Sequence, residues 1–227
     1  MGNKPTAGAH NGRNRSLLGA IGAEPSVRPA LSAIPRALLL EPNKLLSVRQ
    51  RQLIVKLWKR TRKSGLDSVG TKIFLQIFEG DPRLKKLFSL EHVPKDLLKY
   101  ETRFQAHAHT FTRTIAVIVT NIHDLEAVAR YMQDLGKRHA HFQVGGFEPE
   151  QWELFAEALS ECVIEGSGGG GRETATAWRL LVAFLIEEMR LGFGERLKDC
   201  AILQHQRAHS GSCPAIVSPR EARAFNY

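Results

Sequence analysis

The chain has 227 residues, 43% of them hydrophobic, and a formal charge of +9. That is enough apolar material for one ample core with tails, and no apolar run reaches the roughly 18 residues of a membrane-spanning helix. Three scattered cysteines, Cys162, Cys200 and Cys213, lack C-x-x-C spacing and point to a reducing compartment; the basic charge comes without any zinc-finger, RNP-like or basic-zipper pattern, which argues against nucleic acid as a partner.

Residues 1–44 are expected to form a disordered basic tail. Pro5, Pro25, Pro29, Pro35 and Pro42 punctuate it and aromatic residues are missing. It opens Met1-Gly2-Asn3-Lys4-Pro5-Thr6, which fits the M-G-x-x-x-[ST] pattern for myristoylation of Gly2, and it lacks the apolar core of a secretory signal. Lys4, Arg13 and Arg15 would add electrostatic attraction to an anionic leaflet. A cytoplasmic protein, peripheral at the plasma membrane, is the expectation.

The folded domain is expected over residues 45–198. Ser47-Val48-Arg49-Gln50 reads as a capping box opening a helix with Ile54, Leu57 and Trp58 on its apolar stripe. After Lys63-Ser64-Gly65, Asp67 is placed to cap a second helix carrying Val69, Gly70, Ile73, Phe74 and Ile77. Asp81-Pro82 stops it and starts a short turn ending in Leu87-Phe88, and residues 89–97 read as loop. Two helices follow with the same apolar period, joined by the polar link Thr120-Asn121-Ile122-His123-Asp124. One carries Phe104, His107, Phe111, Ile115 and Ile118; the other carries Leu125, Val128, Met132, Leu135 and His139. After a corner at 143–146, Glu148-Pro149-Glu150 opens a helix with Trp152, Phe155, Leu159 and Cys162 or Val163 on one face. The glycine run 168–171 leads to a broadly apolar helix from about Thr174 to Gly194. Periodicity fades from about Asp199, and residues 199–227 are expected to be a mostly disordered tail. Strand-like alternation is absent, so the class is all-α and not a simple bundle.

Two successive helices thus each turn one histidine inward. A lone histidine on an apolar face is more often a hydrogen-bonded core residue than a ligand, but a pair on neighbouring helices raises the case for a shared ligand. A carboxylate-bridged di-metal site needs inward E-x-x-H pairs, which the stretch lacks. A catalytic zinc site needs three protein ligands. His107-Ala108-His109 and His139-Ala140-His141 do not supply them, because residues two apart on a helix diverge by about 200°. One inward imidazole per helix suits a ligand with two axial faces, and haem is that ligand. Without C-x-x-C-H it would be held non-covalently.

The segment Leu135-Gly136-Lys137-Arg138-His139 with Val144 five residues on, Phe104-x-x-His107 thirty-two residues before His139, Asp81-Pro82 with Phe88, Trp58, and Ala177-Trp178 together resemble the globin family. The likeness is closest to neuroglobin-like and extended nematode-type globins and covers roughly residues 45–195. It implies a globin fold of six to eight helices, three-on-three around haem b. It implies His139 as proximal iron ligand and His107 as distal residue and sixth ligand. Phe88 would stack on the porphyrin, Val144 would pack at its edge, and Phe74 and Phe111 would line the distal side. Phe111 stands where valine or leucine is usual, which leaves little room for a diatomic ligand. The expected function is a six-coordinate haem protein in electron transfer, redox signalling or oxygen sensing at the inner membrane surface, with oxygen or another diatomic as ligand and an electron donor or acceptor as partner. The alternatives are a five-coordinate oxygen-storage globin and a haem-free scaffold; haem redox chemistry such as nitric oxide dioxygenation or nitrite reduction has no reductase domain here to sustain turnover.

Overall fold

A computed structural model describes residues 40–168 and 171–209. Gly2, Lys4, Arg13 and Arg15 lie outside the described residues.

Helix α1, Val48–Thr61, starts with the expected capping box. Ser47 Oγ accepts from the Gln50 amide (3.2 Å) and Gln50 Oε1 accepts from the Ser47 amide (2.9 Å), satisfying two otherwise orphaned donors. Its inner face is Ile54, Leu57, Trp58 and Thr61, all buried. Helix α2, Leu66–Gly80, begins two residues earlier than an Asp67 cap would place it, with Gly65 at the N-cap position and no side-chain cap. Gly65, at φ 92, turns the chain in a conformation that costs a glycine nothing, so Asp67 is not needed as the cap. Asp81 then accepts from the Arg83 amide (3.0 Å) and caps a 3-10 turn over Pro82–Phe88, as the Asp-Pro step foretold.

Helices α3, Thr102–Thr120, and α4, Leu125–His139, are the two histidine helices. Asp124 Oδ1 accepts from the Ala127 amide (3.0 Å) at the start of α4. A 3-10 turn over Ala140–Gly145 leads to Gly146 and then to α5, Trp152–Gly166. Helix α6, Arg172–His209, is the largest departure from expectation. It runs about fifteen residues past Gly194, through sequence expected to be tail. Ile202 and Leu203 there are 56% and 47% exposed, so this part of the helix has no buried stripe to announce it.

The core is built where α1, α3 and α4 meet α2, α5 and α6. Trp58 of α1 and Trp178 of α6 stack at 6.2 Å with rings 9° from parallel. Two helix pairs touch backbone to backbone. A Cβ on Gly70 would lie 2.3 Å from the Ala108 carbonyl, so α2 and α3 cross next to His107. Between α4 and α6 the contact is reciprocal: a Cβ on Gly136 would meet the Met189 carbonyl at 2.0 Å, and one on Gly192 would meet that of Gln133 at 1.9 Å. The same junction holds Glu188, 1% exposed, which accepts from Gln133 Nε2 (2.7 Å). Burial pushes the Glu188 carboxyl up, and the Gln133 hydrogen bond partly opposes it.

Candidate functional site

The site lies between α3 and α4. Residues 104, 108, 112, 115 and 118 bury one side of α3, and the His107 and Phe111 rings sit at the margin of that stripe, half-buried. The His107 ring meets the Phe74 edge at 5.0 Å and 90°, and Phe88 at 4.9 Å and 73°. Phe74, 1% exposed, is the hub. It makes edge-on contacts with Phe88 (5.9 Å), Phe111 (5.4 Å), Phe104 (6.4 Å) and Phe155 (5.7 Å), the arrangement that ring quadrupoles favour. The structure brings Phe74, Phe88, Phe111 and His107, four of the residues singled out in the sequence, into one cluster.

His139 closes α4. Its Nδ1 lies 2.9 Å from the Leu135 carbonyl one turn back, and a carbonyl can only accept, so Nδ1 carries the hydrogen and Nε2 keeps a lone pair. Phe142 (5.7 Å), Trp152 (6.2 Å) and Phe147 (6.4 Å) surround its ring, with Phe193 behind Trp152 at 5.4 Å. This second aromatic wall was not assigned to the site from sequence. Phe142 and Phe147 lie in a turn without periodicity; three aromatics within thirteen residues of His139 were the available signal. The side chain of Val144 lies outside the described residues. His109 and His141 are exposed and do not share the inner face, as helix geometry requires.

Both imidazoles are held neutral. Burial, and after it the electrostatic influence of His139, holds the His107 pKa down at about 4. Burial also lowers the pKa of His139; the Leu135 hydrogen bond pulls the other way and the nearby Arg138 charge adds to the lowering. His107, half-buried against its aromatic neighbours, has no hydrogen-bond partner among the described residues. Among the described residues no three His, Cys, Asp or Glu side chains converge as a metal cluster. The donor set is therefore two neutral imidazoles, one oriented by a carbonyl and one without a partner, flanked by phenylalanines. These residues fit a planar apolar group with metal at its centre. His139 and His107 would face the metal and Phe74, Phe88 and Phe111 would bear on the plane.

Comparison with known proteins agrees. The globin family profile matches residues 71–189, more than half of the chain. Globin-related protein glb-13 of Caenorhabditis elegans is 39% identical over 150 residues, which cover 66% of this chain and 53% of that one. Cytoglobin-2 of Danio rerio is 29% identical over 140 residues, 60% of this chain and 76% of that one. The match thus spans about half the length of glb-13. Among solved structures, a hexacoordinated haem protein from an anhydrobiotic tardigrade superposes with a TM-score of 0.60 at 21% identity, covering 65% of this chain and 95% of its own. A Drosophila melanogaster globin gives 0.58, also at 21%, covering 63% and 93%. Fold, family profile and the paired imidazoles converge: the chain belongs to the globin family, and its cofactor is haem b.

Proposed function

We propose that this globin is six-coordinate at rest, with His139 and His107 both on the haem iron, and that it serves electron transfer, redox signalling or oxygen sensing. The observation that carries this is His107 itself. It is neutral, without a protein partner among the described residues, and pressed between Phe74 and Phe88. A metal bond satisfies such a ring more completely than water could. Phe111, one turn along α3 and 5.4 Å from Phe74, crowds the same space against a small exogenous ligand. Haem, when bound, would supply one-electron chemistry, and His139 and His107 would hold it. Two of the structural neighbours are described as hexacoordinate, which supports the proposal by likeness.

The alternative is a five-coordinate oxygen-binding globin. The same lack of a partner for His107 favours it, since a free ring N–H can donate to a bound diatomic. The optical spectrum of the ferrous, ligand-free protein separates them. A low-spin six-coordinate spectrum is expected, and a high-spin five-coordinate one would sink the proposal. We further propose a place at the cytoplasmic face of the plasma membrane through acylation of Gly2 aided by Lys4, Arg13 and Arg15, because one myristoyl chain alone binds only marginally. Gly2→Ala is expected to release the protein from the membrane fraction; an unchanged distribution would count against acylation.

A further inference from the structure

One face of α1 carries a run of cations with no ion-pair partner among the described residues. Lys56, Lys59 and Arg60 follow at i, i+3 and i+4 on one stripe of α1, and Arg62 and Lys63 continue the basic run in the 3-10 turn Arg62–Ser64. All five are exposed, and among the described residues none has an ion-pair partner. Some cations elsewhere do have a counter-charge: Arg49 pairs with Glu173 (2.9 Å), Lys95 with Glu79 (2.8 Å), Lys137 with Glu195 (3.1 Å) and Arg190 with Glu153 (2.7 Å). The apolar residues of this stretch, Leu57 and Trp58, face inward and are 2% and 3% exposed. A favourable interaction with the helix dipole accounts for a cation or two in the last turn. It does not account for Lys56, a full turn and more from the end of α1, nor for five basic residues within eight positions.

We propose that this face of α1 is an electrostatic docking surface for an anionic lipid leaflet. Charge complementarity selects the occupant. A stable protein partner would need buried aromatic or apolar anchors at the centre of the contact, and the exposed positions of the stripe are all long cations. A leaflet of acidic headgroups needs none: it presents diffuse, mobile negative charge that several flexible Lys and Arg side chains meet together. The inference deepens the membrane part of the proposed function, because the folded domain then supplies the polybasic signal that the three tail cations provide only thinly. It does not depend on acylation.

The test uses full-length, haem-loaded protein made without acyl transfer, so that it is independent of Gly2. Sedimentation with phosphatidylcholine vesicles is compared with vesicles that also contain phosphatidylserine. Binding to the second kind alone, lost in high salt, is expected. Each cation near the surface contributes about fivefold. Lys56→Gln, Lys59→Gln, Arg60→Gln and Lys63→Gln combined should weaken binding several hundred-fold. The double variant Lys56→Gln, Lys59→Gln should lose about 25-fold, and it serves if the fourfold variant does not fold. The charge-matched variant Arg103→Gln, Arg113→Gln, Arg130→Gln, Lys198→Gln, all at exposed positions elsewhere, should keep most of the binding. An unchanged haem spectrum verifies folding. The proposal is overturned if the wild type ignores phosphatidylserine vesicles, if the charge-matched variant loses as much as the stripe variant, or if the protein binds soluble polyglutamate but not vesicles, which would mean an acidic protein partner.

Discussion

At the scale of single residues, the site is a matter of which imidazole has something else to do. His139 is committed through Nδ1 to Leu135, while His107 has no hydrogen-bond partner among the described residues. Removing the second should therefore change ligand access more than cofactor retention. His107→Leu is expected to keep haem and to speed carbon monoxide binding to the ferrous protein by at least about tenfold, a barrier change near 1.4 kcal/mol; stopped-flow traces indistinguishable from wild type would mean that the ring never occupied the sixth position. Protonation has a definite sign as well. Both histidine pKa values are lower in the folded chain than their ordinary value of 6.5, that of His107 at about 4, so as pH falls below 6.5 the unfolded state binds more protons. Their contribution to stability is full above pH 6.5 and is lost as pH falls toward 4. Urea titrations of the haem-free protein at pH 7 and pH 5 should show a lower unfolding free energy at pH 5, and equality would place the rings in water. These two residues were legible in the sequence because helical periodicity assigns them a face and their separation matches a known motif. Phe142 and Phe147 were not, because a turn offers no period from which to infer a direction.

At the scale of elements, most helices announced themselves through caps and stripes, and the misses have physical causes. Gly65 supplied the turn that Asp67 was expected to cap, since a left-handed glycine can start a helix without a side chain. The end of α6 was missed because an exposed helix segment buries no stripe. Gly136 and Gly192 carried no signal of their own, yet they let α4 and α6 touch through their backbones, three residues before His139. A methyl group at Gly136 has no room, so Gly136→Ala should destabilise the protein by about 1–3 kcal/mol. Gly194, on the same helix as Gly192, has nothing within 4 Å of a built Cβ. There Gly194→Ala should stabilise by about 0.5–1 kcal/mol through helix propensity. Chemical denaturation of the two variants reads the opposite signs directly, and a loss at both positions would remove the close crossing as the cause.

At the scale of the whole molecule, cofactor and fold are linked equilibria. Two aromatic walls and two neutral imidazoles are assembled only when α2 to α6 are packed together, so haem binds the native state and stabilises it by mass action. At a hundredfold excess over its dissociation constant the gain is about 2.7 kcal/mol. For a domain of this size that is a rise in Tm of about 5–10 °C. Differential scanning calorimetry with and without haem tests it, and coincident transitions would mean that the walls form no binding site.

The three tryptophans give that linkage a voice of its own. Trp58, Trp152 and Trp178 are 3%, 2% and 0% exposed, and the Trp152 ring lies 6.2 Å from that of His139. Every indole therefore emits from a dry interior, and one stands at the edge of the cofactor's seat. Haem absorbs where indole fluoresces, so entry of the cofactor should darken the protein. Stepwise addition of haem to the colourless chain should quench its intrinsic emission to a plateau at one equivalent, with Trp152 silenced most completely. Emission that stayed bright past that point would mean the cofactor had settled elsewhere.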